Sequence, residues 1–372
     1  MNCYFPEIKK NFGFGCMRLP MVNGEVDTEE FKRMVDHFLE KGFNYFDTAH
    51  GYLDGKSETA LKACLTSRYP RESYVLTDKL SGHHFETEAD IRPLFQSQLD
   101  ACGVEYFDFY LMHAQNKAKL EKYKACRAYE TAFALKAEGK IRHVGISFHD
   151  KAEVLDEILT TYPAVEVVQI QFNYIDFDDP SVESRKCWEV CRKHNKPVIV
   201  MEPVKGGSLV KLPAMAQKIL DDLHGGSAAS YAIRFAAGFE GMFMVLSGMG
   251  DLAMVEDNCS YMADFQPLTE AEHAAIDKVC DILKAKDLIA CTACKYCMEQ
   301  CPQGIAIPDL FACLNAKQLW SDWNSTFYYE SVHTAGGSRA SDCVACGACE
   351  EICPQNLPIR ELLKKVAAEF DK

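Results

Sequence analysis

Short apolar runs alternate with longer stretches of helical periodicity from about residue 12 to residue 265. Several of these runs are apolar at nearly every position, as in Val198–Met201, which is typical of parallel strands that are covered on both faces. The runs predict eight β-strands, at Phe12–Met17, Asn44–Thr48, Tyr74–Lys79, Phe107–His113, His143–Ser147, Val165–Phe172, Pro197–Pro203 and Met242–Ser247. The longer stretches between the runs predict helices.

Polar residues stand where several of these helices are expected to begin. Asp27 precedes Thr28-Glu29-Glu30, a typical helix start, and Gly42 follows the same helix at its predicted end. We expect four further residues to act as helix N-caps: Ser57, Asp150, Ser181 and Asp251.

Eight strands that alternate with helices over ~250 residues predict an α/β fold of the (β/α)8 TIM-barrel type. The alternative is an open, doubly wound sheet, which usually carries a G-x-G-x-x-G turn after its first strand. Gly13-Phe14-Gly15 lacks the third glycine and precedes no clear helix. The pattern therefore favours the barrel.

The composition changes after about residue 285, where prolines directly follow clustered cysteines and long strands are few. A further helical stretch, Ala312–Trp320, lies between the two cysteine clusters. We therefore expect two domains, a barrel over residues 1–268 and a smaller domain over residues 269–372 that begins with a linker helix.

Eight of the 18 cysteines form two runs of identical spacing, Cys291-x2-Cys294-x2-Cys297-x3-Cys301-Pro and Cys343-x2-Cys346-x2-Cys349-x3-Cys353-Pro. This spacing resembles that of bacterial ferredoxins, which bind two 4Fe–4S clusters, and in those proteins the fourth cysteine of each run ligates the other cluster. The resemblance implies one ligand set of Cys291, Cys294, Cys297 and Cys353, and another of Cys343, Cys346, Cys349 and Cys301. Zinc and disulfides are the alternatives, but structural zinc usually takes two separated C-x2-C pairs.

The net charge and the remaining cysteines indicate the binding partners and the cellular compartment to expect. Lys and Arg number 40 against 54 Asp and Glu, a formal charge of −14, so binding to nucleic acid or to an anionic membrane is not expected. Met1–Pro20 does not read as a signal peptide, and no run of about 20 apolar residues predicts a membrane-spanning helix. The 10 scattered cysteines are typical of buried thiols in a reducing environment, and we expect a cytoplasmic protein.

In a TIM barrel the catalytic groups lie at the carboxyl ends of the strands. The second predicted strand carries Asp47 near its end, with Tyr52 five residues on; the third ends at Lys79 and the fourth at His113. These residues resemble the Asp–Tyr–Lys–His tetrad of the aldo-keto reductase family. Similar stretches are Val144-Gly-Ile-Ser147, Gln169-x3-Asn173 and Val255-Glu-Asp-Asn258. The resemblance implies reduction of a carbonyl group with NADH or NADPH.

The chemistry of the tetrad is consistent with this reaction. A tyrosine has an ordinary pKa near 10, and a buried Lys79 ammonium beside Tyr52 is expected to lower the pKa of its hydroxyl. Asp47 would hold that ammonium in place. His113 would donate a hydrogen bond to the substrate oxygen, where negative charge develops. Tyr52 is then the general acid in reduction and the base in oxidation.

The same resemblance implies the cofactor contacts. Ser147 and Gln169 match residues that bind the nicotinamide, and Met201 stands where many members place an aromatic residue near the ring. Gly248, Asp257 and Asn258 are expected at the other end of the dinucleotide. The stretch from 247 to 255 carries no Lys or Arg, so a 2′-phosphate would lack an ion-pair partner there. The cofactor can therefore be NADH as well as NADPH.

The sequence thus predicts an oxidoreductase that acts on a small carbonyl or alcohol substrate, with two 4Fe–4S clusters that exchange electrons with a ferredoxin or another carrier. Hydride transfer moves two electrons together and a cluster passes one, so coupling them would need a flavin or a radical intermediate. A structural role for the clusters is one alternative. Another is a redox-sensing or electron-transfer protein whose barrel binds a nucleotide without fast turnover.

Overall fold

The computed structural model describes residues 4–178, 182–284, 288–320, 325–326, 329–334 and 337–371. Of the expected helix caps, Ser181 lies outside these residues. The chain forms two compact units, Met1–Pro203 with Ala229–Leu268, and Val204–Ala228 with Thr269–Lys372. This differs from the single boundary expected after residue 268, because the helix Ala214–Asp221 packs against Glu270–Lys284 and so joins the second unit.

Eight parallel strands close the first unit into a barrel, in the order β1-β10-β9-β8-β7-β6-β5-β4. The barrel strands are β1 Phe12–Gly15, β4 Tyr45–Asp47, β5 Val75–Leu80, β6 Phe107–Gln115, β7 Ile141–Phe148, β8 Val167–Gln171, β9 Val198–Met201 and β10 Met242–Gly248. The predicted TIM barrel and its eight strands are confirmed, with strand ends that differ from the prediction by two residues or fewer. Two strands that the sequence analysis did not predict, β2 Met21–Val22 and β3 Glu25–Val26, form a small antiparallel pair.

Helices follow the barrel strands in the first unit, and the elements of the second unit are helices throughout its described residues. The helices up to residue 262 are Thr28–Glu40, Lys56–Leu61, Glu88–Cys102, Lys117–Ala125, Ala128–Ala137, Ala152–Thr161, Ser184–Lys193, Ala214–Asp221, Ala228–Ala237 and Leu252–Met262. The later helices are Glu270–Lys284, Tyr296–Glu299, Ile307–Trp320, Ala348–Glu351 and Ile359–Phe370. Within the described part of the chain, none of them combines the length and the apolar character that crossing a bilayer requires.

Two of the expected helix caps are confirmed. The Asp27 carboxylate accepts hydrogen bonds from the backbone N–H groups of Glu29 and Glu30, both at 3.1 Å, and the helix that begins there is followed by Gly42 in the left-handed region at φ +83°. The Asp251 carboxylate accepts from the Met254 N–H at 2.8 Å. These contacts satisfy backbone donors that have no partner inside the helix.

Two other expected caps are wrong, because distant backbone groups take the side chains instead. Ser57 lies inside the helix Lys56–Leu61, and its hydroxyl donates to the Cys16 carbonyl at 2.8 Å, which ties this helix to the residue after β1. The Asp150 carboxylate accepts from the N–H groups of Lys117 and Lys151, both at 2.8 Å, and so holds the loop that follows β6.

The barrel interior changes from apolar to polar along the strands. At one end, Tyr45, Val75, Phe109 and Val167 belong to a buried apolar cluster. Side chains two residues apart on a strand point to the same face. Asp47, Thr77 and Gln169 therefore continue the same inward rows toward the carboxyl ends, which places polar groups where a barrel enzyme holds its substrate.

The second unit has an apolar core of its own, formed mainly by the helices Ile307–Trp320 and Ile359–Phe370, which pack against each other. Tyr329 is buried in this core and stacks on Phe370, with ring centroids 4.5 Å apart. Cys297 and Cys349 are buried in the same core, so both cysteine runs are anchored to it.

Candidate active site and cysteine-lined cavities

The four tetrad residues predicted from the strand ends come together at the carboxyl end of the barrel. The Lys79 ammonium lies 2.6 Å from Asp47 Oδ1 and 3.4 Å from the Tyr52 hydroxyl oxygen. The rings of Tyr52 and His113 have centroids 5.9 Å apart. A lysine, a tyrosine and a histidine within this distance form a group that can donate protons and hydrogen bonds to one bound oxygen atom.

The Lys79–Asp47 ion pair is buried, with 1% of the lysine side chain and 5% of the aspartate side chain exposed. Lys79 also donates to the Thr48 carbonyl at 2.7 Å, and Gln169 donates to the second Asp47 oxygen at 3.3 Å. Burial raises the pKa of Asp47, while the Lys79 charge acts in the opposite direction. The extra hydrogen bonds matter because a buried ion pair offsets its loss of hydration only when its remaining polar atoms are also satisfied.

Tyr52 differs from the sequence-based expectation in one respect. Burial raises the pKa of its hydroxyl above the ordinary value, and the Asp47 and Asp78 carboxylates raise it further. We had expected Lys79 to lower this pKa; the correction is that the ammonium is already neutralised by Asp47 at 2.6 Å. Tyr52 is therefore a neutral phenol at physiological pH, the form that donates a proton.

A tight loop positions Tyr52. Gly51, Leu53, Asp54 and Gly55 all have φ values in the left-handed region, and the Tyr52 N–H donates to the Ala49 carbonyl at 3.0 Å. Non-glycine residues rarely adopt such angles, and they are held there only by surrounding contacts. The loop turns the chain back toward the end of β4, which places the Tyr52 hydroxyl beside the Lys79 ammonium.

A β-bulge positions His113. The pairing of β6 with β7 shifts register between Met112 and Gln115, and Ala114 has φ +51° within that bulge. The Ala114 N–H donates to the Ser147 hydroxyl oxygen at 2.7 Å. Bulges of this kind re-aim a side chain beside an active site. The sequence pattern does not predict this bulge.

Ser81 holds the His113 ring, a contact that sequence reasoning missed. The Ser81 oxygen lies 2.6 Å from His113 Nδ1 and 3.2 Å from the His50 carbonyl oxygen. Burial lowers the pKa of His113 well below its ordinary value, and the Lys79 charge adds to this. The imidazole is therefore neutral. The single Ser81 hydrogen goes either to the His50 carbonyl or to His113 Nδ1. When it goes to Nδ1, at the shorter distance, the ring proton is on Nε2, which is then a hydrogen-bond donor.

Three residues expected at the nicotinamide lie near this group. Ser147, in β7, is 1% exposed and Gln169, in β8, is 2% exposed. Met201 is the last residue of β9 and is partly buried. The Gln169 amide, which is expected to contact the cofactor, donates a hydrogen bond to Asp47 in the structure.

The residues expected at the far end of the dinucleotide have different surroundings. Gly248 ends β10 and is exposed, and Arg18, which sequence reasoning missed, packs against it: a Cβ at Gly248 would lie 3.4 Å from Arg18 Cδ. Asp257 is partly buried. Asn258 is buried, donates to Ser247 at 3.0 Å and accepts from the Tyr261 hydroxyl, so its side chain braces the helix Leu252–Met262.

The beginning of that helix carries two carboxylates. Asp251 caps it, and Glu30 Oε1 accepts a hydrogen bond from the Leu252 N–H at 2.9 Å. A helix N-terminus attracts anions, and here two acidic side chains already occupy it. The contribution of Glu30 was missed because it comes from a residue far away in the sequence.

In the second unit, the eight motif cysteines line two cavities. One cavity is lined by Cys291, Cys294, Cys297 and Cys353. The other is lined by Cys301, Cys343, Cys346 and Cys349. Each run thus contributes three cysteines to one cavity and its fourth cysteine to the other.

The two cavities share a backbone pattern. Ala293 and Ala345, which occupy the same place in the two runs, both have φ +55°, and the equivalent pair Lys295 and Gly347 have φ +68° and +87°. Turns of this type direct successive N–H groups into a concave site that suits anions and iron–sulfur clusters. Four thiols around each cavity form the donor set that a 4Fe–4S cluster requires. The residues present therefore fit such a cluster.

The cysteines outside the motifs behave as expected. In the described part of the chain none of them is disulfide-bonded, and all are buried: Cys16, Cys64, Cys102, Cys126, Cys187, Cys191, Cys259, Cys280 and Cys313. They fill the interior as small apolar side chains.

Comparison with known proteins identifies two families. The model of the aldo/keto reductase family matches residues 11–281, and that of a 4Fe-4S dicluster domain matches residues 290–357. An aldo-keto reductase of Mycolicibacterium smegmatis is 26% identical over 234 residues, which cover 62% of this chain and 78% of the relative. An NADH-specific methylglyoxal reductase of Escherichia coli is 27% identical over 210 residues, 51% of this chain and 61% of that protein.

Among solved structures, an aldo-keto reductase from Klebsiella pneumoniae in complex with NADPH has the same fold. It aligns with a TM-score of 0.60 and 19% identity, over 73% of this chain and 95% of that one. The family match extends over most of the chain and includes every tetrad residue. The protein therefore belongs to the aldo/keto reductase family and is an oxidoreductase of that family with a 4Fe–4S dicluster domain at its carboxyl-terminal end.

Proposed function

We propose that the protein reduces the carbonyl group of a small substrate, and oxidises the corresponding alcohol in reverse, by hydride transfer. The observation that carries this proposal is the buried Lys79, placed 2.6 Å from Asp47 and 3.4 Å from the Tyr52 hydroxyl. A bound NADH or NADPH supplies the hydride to the carbonyl carbon, and the carbonyl oxygen takes a proton to become the alcohol. The task of the protein is to bind the oxygen and deliver that proton.

Tyr52 is the proton donor in this scheme. It is a neutral phenol, and its proton moves to the substrate oxygen as negative charge builds up there. The Lys79 ammonium then stabilises the phenolate that remains. His113, kept neutral by burial, donates a hydrogen bond from Nε2 to the same oxygen in the tautomer whose Nδ1 accepts from Ser81, and so orients the carbonyl.

The cofactor would lie across the carboxyl ends of the strands. Ser147, Gln169 and Met201 would contact the nicotinamide, and Asp257 and Asn258 the adenosine end. Gly248 leaves room for the phosphates, and Arg18 beside it supplies a positive charge. Glu30 and Asp251 at the helix beginning with Leu252 would repel a 2′-phosphate, which favours NADH over NADPH. The name of the E. coli relative, an NADH-specific enzyme, supports this preference.

The second unit would hold two 4Fe–4S clusters. Cys291, Cys294, Cys297 and Cys353 would bind one, and Cys343, Cys346, Cys349 and Cys301 the other. The clusters would exchange single electrons with a ferredoxin or a similar small carrier. Analysis of iron and sulfide in anaerobically purified protein tests the count: we expect eight of each per chain, about twice the content expected for one 4Fe–4S cluster.

Oxidation of NADH and NADPH in the presence of aldehydes, ketones and quinones tests the catalytic proposal. We expect turnover by the intact protein and a loss of at least about 100-fold in Tyr52→Phe, the size of a general-acid contribution. Tyr69→Phe is the matched control, because it removes a hydroxyl that only contacts Asp36. Equal activity in Tyr52→Phe and the intact protein would contradict the proposal. Absence of turnover in both would favour the redox-sensing alternative.

A further inference from the structure

One lysine at the rim of the barrel differs from its neighbours. The helix Lys117–Ala125 follows β6 and carries four lysines. Three of them have carboxylate partners in the structure: Lys117 with Glu157, Lys122 with Glu86, and Lys124 with Glu121 and Glu157. For the Lys119 ammonium, no carboxylate among the described residues lies within ion-pair distance.

Lys119 is also incompletely solvated. It is partly buried, and burial without a counter-ion lowers the pKa of its ammonium to about 8. A chain with a net charge of −14 has many carboxylates available. An anion from outside would compensate the lost hydration of this cation and keep it charged.

His149 lies near Lys119 and has a ring nitrogen without a hydrogen-bond partner among the described residues. Its backbone N–H donates to the Gln115 carbonyl at 2.9 Å, so it sits directly beside the end of β6. Its Nδ1 is buried and has no hydrogen-bond partner among the described residues. Burial and the nearby Lys119 charge lower the pKa of His149 to about 3, so the ring is neutral. A buried polar atom without a partner usually indicates a missing ligand or water.

Both side chains lie near His113 of the proposed catalytic group. The Lys119 ammonium and the His149 ring both lie close enough to His113 to lower the pKa of its imidazole. Asp150, the acidic residue next to His149, is engaged elsewhere, since its two oxygens accept from the N–H groups of Lys117 and Lys151. A cation and a neutral donor thus remain available next to the site where the carbonyl would bind.

We propose that Lys119 and His149 form an anion-binding subsite, and that the substrate is a carbonyl compound bearing a carboxylate. This rests on the proposed function, because the carbonyl is taken to bind at Tyr52 and His113. The carboxylate accepts one charge-assisted hydrogen bond from the Lys119 ammonium and one from His149 Nδ1–H. The subsite acts in binding and orientation and takes no part in the transfer of hydride or proton.

Charge balance favours a carboxylate over a phosphate ester. One ammonium and one neutral imidazole neutralise a single negative charge. A phosphate monoester carries about −1.5 to −2 at pH 7, and the excess would remain buried in a strongly acidic protein. The same chemistry of anionic oxygens applies to both groups, so the experiment must compare them.

The test uses the complete protein and a matched pair of aldehydes, 4-carboxybenzaldehyde and benzaldehyde. We expect a ratio of kcat/KM that favours the carboxylate by about tenfold or more, the size of one charge-assisted hydrogen bond. Lys119→Met should bring the ratio close to one, and Lys119→Arg should keep part of the preference. Lys122→Met, which removes a paired lysine from the same helix, should leave the ratio unchanged. A ratio near one in the intact protein, or an unchanged ratio in Lys119→Met, would overturn the proposal.

Calorimetric binding of benzoate and phenyl phosphate keeps the inference testable without turnover. We expect benzoate to bind the intact protein and to bind Lys119→Met about tenfold more weakly. Tighter binding of phenyl phosphate would overturn the carboxylate assignment, and equal benzoate binding to both proteins would overturn the subsite. If neither aldehyde is reduced while benzoate binding depends on Lys119, the proposed function fails and the anion site stands.

Discussion

Lys79 and Asp47 form a buried ion pair at 2.6 Å inside the barrel, and each partner also has a hydrogen bond to another group. The pair joins β4 to β5 at the point where the proposed proton donor, Tyr52, returns to the barrel. It therefore has a structural and a chemical role, and the two can be separated by mutation.

Asp47→Asn is expected to destabilise the barrel by about 3–5 kcal/mol, because it leaves the Lys79 charge buried without compensation. Lys79→Met removes that charge, so Asp47→Asn combined with Lys79→Met should lose less than the sum of the two single changes. Urea unfolding of the three variants measures this. Additive losses would show that the two residues do not act as a pair.

His113 and His149 predict how stability depends on pH. Both have folded-state pKa values below 6.5, that of His149 at about 3. Below pH 6.5 the unfolded chain binds protons at these rings and the folded protein does not, so stability is complete above that pH and falls as the pH decreases toward 3. Unfolding free energies from pH 7 to pH 4 should show this loss, and His149→Phe should reduce its slope.

The neutral state of His113 also predicts the pH profile of activity. Because burial lowers the pKa of this imidazole well below its ordinary value, kcat/KM should show no ionisation of His113 near pH 6.5. An acid limb near pH 6.5 that His113→Gln removes would contradict the assignment of a neutral ring.

The two carboxylates at the helix Leu252–Met262 predict the choice of cofactor. We expect NADH to be preferred, and Glu30→Gln with Asp251→Asn to raise the use of NADPH relative to NADH several-fold. Both changes retain an oxygen that accepts the helix N–H groups and remove only the charge. Glu29→Gln is the control, because Glu29 and Glu30 each form an ion pair on their own helix, with Lys32 and Arg33, but the Leu252 N–H donates to Glu30. A cofactor ratio that does not respond would contradict this explanation.

Gly206 offers a test of the first cysteine-lined cavity. It has φ +62°, and a Cβ there would lie 2.7 Å from the carbonyl oxygen of Thr292, the residue after Cys291. Gly206→Ala should therefore displace Cys291 and lower the iron content. Gly304→Ala is matched in backbone angle, at φ +64°, with open space around it, so it should lose about 1–2 kcal/mol from strain alone and retain iron. Equal iron in both variants would show that this contact does not support the cavity.

The sequence was sufficient for the positions of the tetrad. Alternation along a strand fixes which residues face the interior, and the carboxyl ends of parallel strands meet at one rim. Asp47 and Lys79 follow from those two rules. The strict spacing of the cysteine runs likewise indicated how the eight residues divide between two sites, since one principle of iron–sulfur ligation governs both.

Contacts between distant residues were not predictable in this way. The Ser57 hydroxyl and the Asp150 carboxylate are good caps by local rules, but each found a backbone group far along the chain. The bulge at Ala114 depends on the Ser147 hydroxyl across the strand pair. That Lys119 has no carboxylate partner among the described residues is likewise a tertiary property, because local sequence does not distinguish it from the three paired lysines of the same helix. The local sequence pattern therefore predicts which residue types form the site, and tertiary contacts determine the protonation state and the orientation of their side chains.

The origin of the new hydrogen on the product carbon tests the central claim most directly. Incubation of the complete protein with NADH deuterated at C4 and an aldehyde substrate, followed by mass spectrometry of the alcohol, measures it. Direct hydride transfer predicts deuterium on the alcohol carbon, from one face of the cofactor, and at least about 100-fold slower formation of that product in Tyr52→Phe. An alcohol that carries hydrogen from solvent at this carbon, formed at the same rate in Tyr52→Phe, would contradict the account and indicate single-electron reduction.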